Sequence, residues 1–139
     1  MKKIIAFLPI IVISFISCSK SSDDGGSTPT PPSTPSETPI TFTINASNNT
    51  VSLTNGYAVT ATLTSIMPSS KGITIETTLV NQTTSANISQ SAAVTSTSAV
   101  NNLQFINLPQ QQWCTATVKV SSVATPSNSA AQSFTVVYK

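Results

Sequence analysis

From Ile40 onward, apolar and polar residues alternate with a period of two along almost the whole chain. Ile40, Phe42 and Ile44 fall on one face and Thr41, Thr43 and Asn45 on the other, the pattern of a half-buried strand. Asn48-Asn49 breaks the run, and Val51 and Leu53 resume it as far as Asn55-Gly56, a strong turn signal. Val59, Ala61 and Leu63 alternate with threonines in the next segment, which Met67 to Gly72 ends. Ile73, Ile75, Thr77 and Leu79 share the inward face of another strand. The stretch Asn81 to Asn101, rich in Ser, Thr and Ala, reads as a loop with short edge strands around Ile88 and Ala92 to Val94. Leu103 and Phe105 then lead to Leu108-Pro109. Beyond that corner Cys114, Ala116, Val118 and Val120 alternate with Trp113, Thr115, Thr117 and Lys119. A turn at Thr125 to Asn128 precedes a last strand carrying Phe134, Val136 and Tyr138.

No window has helical spacing. About seven strands at intervals of roughly eight to twelve residues predict an all-β domain, a single antiparallel immunoglobulin-like β-sandwich over residues 40–139. A domain of this size can bury a core without a disulfide. The run LQFINLPQQQWCTATVKVSS (Leu103 to Ser122), followed by a loop and SFTVVY, resembles the end of a fibronectin type III or related immunoglobulin-like domain. The corner tyrosine of that family is absent, and no tryptophan occupies the second or third strand. The resemblance therefore implies that Leu63, Ile75 and Phe105 fill the central space.

Composition narrows the chemistry. Residues 40–139 contain no His, no Asp and one acid, Glu76. A Ser-His-Asp or Cys-His arrangement cannot be assembled from them, and paired carboxylates for acid and base work are missing. One cysteine is no zinc site and one carboxylate no calcium site, so neither metal nor cofactor is expected. The lysines beyond residue 40 (Lys71, Lys119 and Lys139) are too few and too scattered to neutralise nucleic-acid phosphates. A serine-lysine pair is formally available, but exposed lysines on strands ordinarily serve solubility. The domain reads as non-catalytic.

The N-terminal residues address a membrane. Lys2 and Lys3 precede a nearly unbroken apolar run, Ile4 to Ile16, which is shorter than the roughly 20 residues that span a bilayer and contains Pro9. Residues 1–17 read as a secretory signal peptide. The run leads directly into Cys18 and resembles a bacterial lipobox. That resemblance implies cleavage before Cys18, a diacylglycerol on its thiol and a further acyl chain such as palmitate on the new amine. Two or three long chains anchor a protein far more firmly than one. The following SKSSDDGG, with Lys20, Asp23 and Asp24, is similar to the tether of surface-displayed lipoproteins of the Bacteroidetes group. It implies an outer-membrane, cell-surface location. Loss of Lys2 and Lys3 from a precursor of net charge +2 leaves a mature chain near neutrality. Residues 18–39 form a linker in which Ser27 to Ile40 (STPTPPSTPSETPI) carries Pro29, Pro31, Pro32, Pro35 and Pro39, an extended stalk of about 40 Å.

The candidate positions are few. Cys18 is the lipidation site, and membrane contact runs through it. Cys114 shares the parity of a core row and reads as a small buried apolar residue. Trp113, on the opposite face, is a platform for stacking against a sugar ring or a protein side chain, with Tyr57 as a second stacking candidate. The expected role is a lipid-anchored interaction, adhesion or structural module with a protein or polysaccharide partner. The alternatives are a glycan-binding accessory module using Trp113 and an assembly subunit that pairs through sheet edges.

Overall fold

The computed structural model describes residues 36–139. The signal peptide, Cys18, the acidic tether and the stalk up to Pro35 lie outside the described residues. Within 36–139 there are nine strands and no helix: β1 (Phe42–Ile44), β2 (Thr50–Ser52), β3 (Tyr57–Leu63), β4 (Ile73–Asn81), β5 (Asn87–Ile88), β6 (Val94–Ser96), β7 (Val100–Phe105), β8 (Trp113–Ser122) and β9 (Ser129–Tyr138). They form a β-sandwich. The smaller sheet has the order β1-β3-β7 and the larger β2-β9-β8-β4-β5, with β6 also on β4. Neighbours run antiparallel except β2, which lies parallel to β9.

Period-two alternation produces the two layers because each strand buries one face. Val59 and Phe105 from the smaller sheet meet Ile73, Ile75, Leu79, Val118, Val120, Phe134 and Val136 from the larger. The rings of Phe105 and Phe134 meet edge to face at 5.5 Å between centroids, a favoured aromatic geometry. Each such side chain, fully buried, contributes about 1.5–3 kcal/mol of transfer free energy. Leu63, Ile75 and Phe105 are all buried, as the sequence pattern predicts.

The sequence pattern misplaces one segment. Val51 and Leu53 face solvent, Leu53 at 84% exposure, and Ser52 between them is buried. The cause is a polar one. Ser52 Oγ donates to the carbonyl oxygens of Gly56 (2.7 Å) and Thr54 (2.9 Å), fixing the bend that carries the chain out of the larger sheet. Asn55-Gly56 is thus a passage from β2 to β3 in the other layer and closes no hairpin.

The short edge strands of the Asn81 to Asn101 stretch are β5 and β6, which cover the two ends of β4. β5 pairs with Leu79 and Val80, and β6 with Ile73 to Ile75. Gly72 permits the second pairing. Its φ is 83°, and a Cβ there would stand 2.3 Å from the Ser96 carbonyl oxygen.

The chain is already tied to the sandwich upstream of β1. Glu37 accepts hydrogen bonds from Ser122 Oγ (3.0 Å) and Asn128 Nδ2 (3.2 Å). Asn128 also donates to the Thr38 carbonyl (2.9 Å) and accepts from the Ile40 amide (3.0 Å). The last residues of the proline-rich stretch therefore lie stapled to the β8–β9 turn.

Candidate functional site

Trp113 opens β8. Cys114 points inward and is fully buried, so alternation turns Trp113 to the outer face of the larger sheet, where it is 38% exposed. Its cross-strand partner on β9 is Val137, whose own partner on β2 is Val51. These three apolar side chains make a row across the outer face. Val137 is covered although it faces outward, because Trp113 and Val51 flank it.

The backbone around Trp113 is held on several sides. Its carbonyl accepts from the Gln82 amide (2.9 Å), and the Gln111 amide donates to the Tyr138 carbonyl (2.7 Å). Gln111 sits at φ 56°, a left-handed turn that swings the chain past the end of β9. Asn81, buried at the end of β4, accepts from the amides of Thr83 (2.8 Å) and Thr84 (3.1 Å) and donates through Nδ2 to Gln112 Oε1. It thereby fixes the residue immediately before the tryptophan. A depression of about 450 Å³ lined by Gln111, Trp113, Val137 and Lys139 results. It combines an aromatic ring, an amide and a cation, a set suited to stacking with peripheral hydrogen bonds.

Further along this face the side chains are mostly hydroxyls bonded to neighbours. Thr117 Oγ1 and Ser133 Oγ lie 2.7 Å apart, Gln82 Nε2 donates to Thr115 Oγ1 (3.1 Å), and the Asn49 amide donates to Thr135 Oγ1 (2.7 Å). Glu76 and Lys119, directly opposite each other on β4 and β8, form an ion pair at 3.3 Å. Both are about half exposed, so the pair contributes under about 1 kcal/mol.

Tyr57 is placed elsewhere. It begins β3 in the smaller sheet and packs its ring on Phe134 at 5.7 Å, half-buried against the core. Trp113 and Tyr57 are not brought together, and the exposed aromatic surface is that of Trp113. Cys114 lies between the layers, where burial pushes its thiol above the usual range and so keeps it protonated.

Among the described residues no group of three or more His, Cys, Asp or Glu side chains could hold a metal ion. Lys119 Nζ is engaged by Glu76, and Glu37 by Ser122 and Asn128. Sequence reasoning identified Trp113 by parity. It missed Gln111 and Asn81, whose roles depend on a left-handed turn and on a buried amide; the one available signal was Asn81 sharing the inward parity of Leu79. The chain matches no protein-family model, and searches of curated proteins and of solved structures find no match either.

Proposed function

We propose that this chain is a lipid-anchored, non-catalytic interaction module of a bacterial outer membrane, and that its β-sandwich has the immunoglobulin-like layout. The layout is supported by the strand order: β1, β3 and β7 in one layer, β9, β8 and β4 in the other, and the chain changing layers between β1 and β2. The anchor and the surface location are supported by the apolar run ending at Cys18 and by the lysine and acidic pair beyond it. The observation that carries the functional reading is the exposed Trp113 and its apolar row on a sheet face whose other side chains are mostly hydroxyls. A rigid aromatic on a flat scaffold is the kind of residue that anchors a recognition surface.

A second reading, a glycan-binding module, is favoured by the depression beside Trp113. There the indole face and the Gln111 and Lys139 side chains can meet the apolar and hydroxyl faces of one sugar ring.

The experiment separates anchor from contact. Cys18→Ala moves the protein out of the membrane fraction or leaves an uncleaved precursor. Trp113→Ala leaves it in the membrane but abolishes binding to the probes, an array of polysaccharides and matrix proteins, that wild type retains. The variant stays folded but loses about 0.5–2 kcal/mol, because the indole is more than half covered and shields Val137. Membrane recovery of Cys18→Ala as mature protein sinks the anchor. Identical binding by wild type and Trp113→Ala across all probes sinks the contact surface.

A further inference from the structure

The outward edge of β7 is closed at both ends by side chains. The Leu63 amide donates to the Ala99 carbonyl (2.8 Å), which fixes the phase of the strand. In an antiparallel ladder alternate residues turn their N–H and C=O to opposite sides. Those of Val100, Asn102, Gln104 and Ile106 therefore point away from β3, on the side where the smaller sheet has no further strand. At the start, Ser98 Oγ accepts from the Val100 amide (3.2 Å) and donates to the Val100 carbonyl (2.8 Å). At the finish, Gln90 Oε1 accepts from the Ile106 amide (2.9 Å), and Gln90 Nε2 donates to the Ile106 carbonyl (2.9 Å). Each side chain meets the N–H and C=O of one residue together, as the backbone of a neighbouring strand would.

Each cap is itself held in place. Asn101 Nδ2 donates to the Ser98 carbonyl (2.9 Å), and Asn107 Nδ2 donates to the Ser89 carbonyl (3.3 Å) just before Gln90. The usual protection is missing here. Exposed edges are ordinarily blunted by lysine, proline or a bulge. β7 pairs with β3 without a bulge and contains neither residue, and no charged residue occurs between Glu76 and Lys119. Beside the edge, Val94 and Val100 are 52% and 55% exposed, apolar surface that an added strand would cover.

We propose that Ser98 and Gln90 guard this edge against strand addition, imitating a neighbouring backbone where other sheets carry a charge. Of the four outward residues the caps leave Asn102 and Gln104 for an arriving strand, fewer than the roughly 3–10 residues of ordinary strands. With both caps gone, Val100, Asn102, Gln104 and Ile106 stand open in one unbroken register. The inference is independent of Trp113, which lies on the other sheet, and it tells against assembly through β7.

The test uses the full chain in excess detergent, read by sedimentation and thioflavin T fluorescence. The double variant Ser98→Ala, Gln90→Ala associates at a concentration about tenfold or more below any at which wild type does. Each single variant opens one end, keeps the sheet signal in circular dichroism and falls between the two. Asn102→Lys added to the double variant returns it to monomer, because a lysine on an edge opposes pairing. Asn102 is exposed and its side chain accepts one hydrogen bond, from Thr60 Oγ1 (3.0 Å). Val118→Ala controls for lost stability: it empties space in the core at β8, in the middle of the other sheet, and stays monomeric. A double variant that sediments like wild type overturns the proposal. So does equal association by Val118→Ala, or association that Asn102→Lys fails to reverse. A wild type already oligomeric that Asn102→Lys turns to monomer overturns it as well.

Discussion

The two edges of the smaller sheet are finished in different ways. On the β1 edge two of the groups pointing away from β3 are met by amide side chains from the opposite layer: Asn128 takes the Ile40 amide, and Gln132 Nε2 donates to the Phe42 carbonyl. On the β7 edge the Gln90 amide serves Ile106 and the Ser98 hydroxyl serves Val100, while Asn102 and Gln104 face outward. The difference follows from what runs alongside. β9 and its preceding turn lie beside β1 and offer Asn128 and Gln132 at the right spacing. Beside β7 runs Ser89 to Ala93, which leaves the β4 edge between β5 and β6 and sends over only Gln90. In a chain so poor in charge, amide side chains do the work that lysines do at other sheet edges.

Three substitutions probe this contrast, in falling order of effect. Phe105 is the fully buried last residue of β7 and pins that strand to Phe134. Phe105→Ala is expected to cost about 3–5 kcal/mol in denaturant unfolding, the range for a large aromatic removed from a core. A loss under about 1 kcal/mol would mean that β7 is held by its ladder alone. Asn128→Ala removes bonds to Glu37, Thr38 and Ile40 together. It is expected to cost about 1–3 kcal/mol and to speed hydrogen exchange at the Ile40 amide. Gln90→Ala releases one residue at a partly solvated position, so about 0.5–1.5 kcal/mol and faster exchange at Ile106 are expected. Equal costs for Asn128→Ala and Gln90→Ala would erase the distinction between the two edges.

Most of the sandwich was legible because alternation is a local property. The rows Ile73-Ile75-Leu79 and Cys114-Ala116-Val118-Val120 lie inward as the pattern predicts, and the same parity put Trp113 outside. Where a polar group took the inward place, parity misled. Ser52 is buried because its hydroxyl finds two carbonyls in the bend, and this turned Val51 and Leu53 to solvent. Contacts distant in sequence had no local signal at all. Glu37 with Ser122, Asn128 with Ile40 and Gln90 with Ile106 are pairings of ordinary polar residues that only the folded chain brings together. For the site, the tryptophan could be read and its supports, Asn81 and Gln111, could not. Tyr57 looked equivalent to Trp113 in composition but packs on Phe134.

The staple at Glu37 also determines how the sandwich meets mechanical tension. A pull arriving from the N-terminal side reaches the carboxylate before it reaches β1, and passes through Ser122 and Asn128 into the ends of β8 and β9. Those strands share a ladder of nine pairs, from Trp113↔Val137 to Ser121↔Ser129, so the load passes into a long pairing. The short β1 pairing, left to itself, would peel one bond at a time.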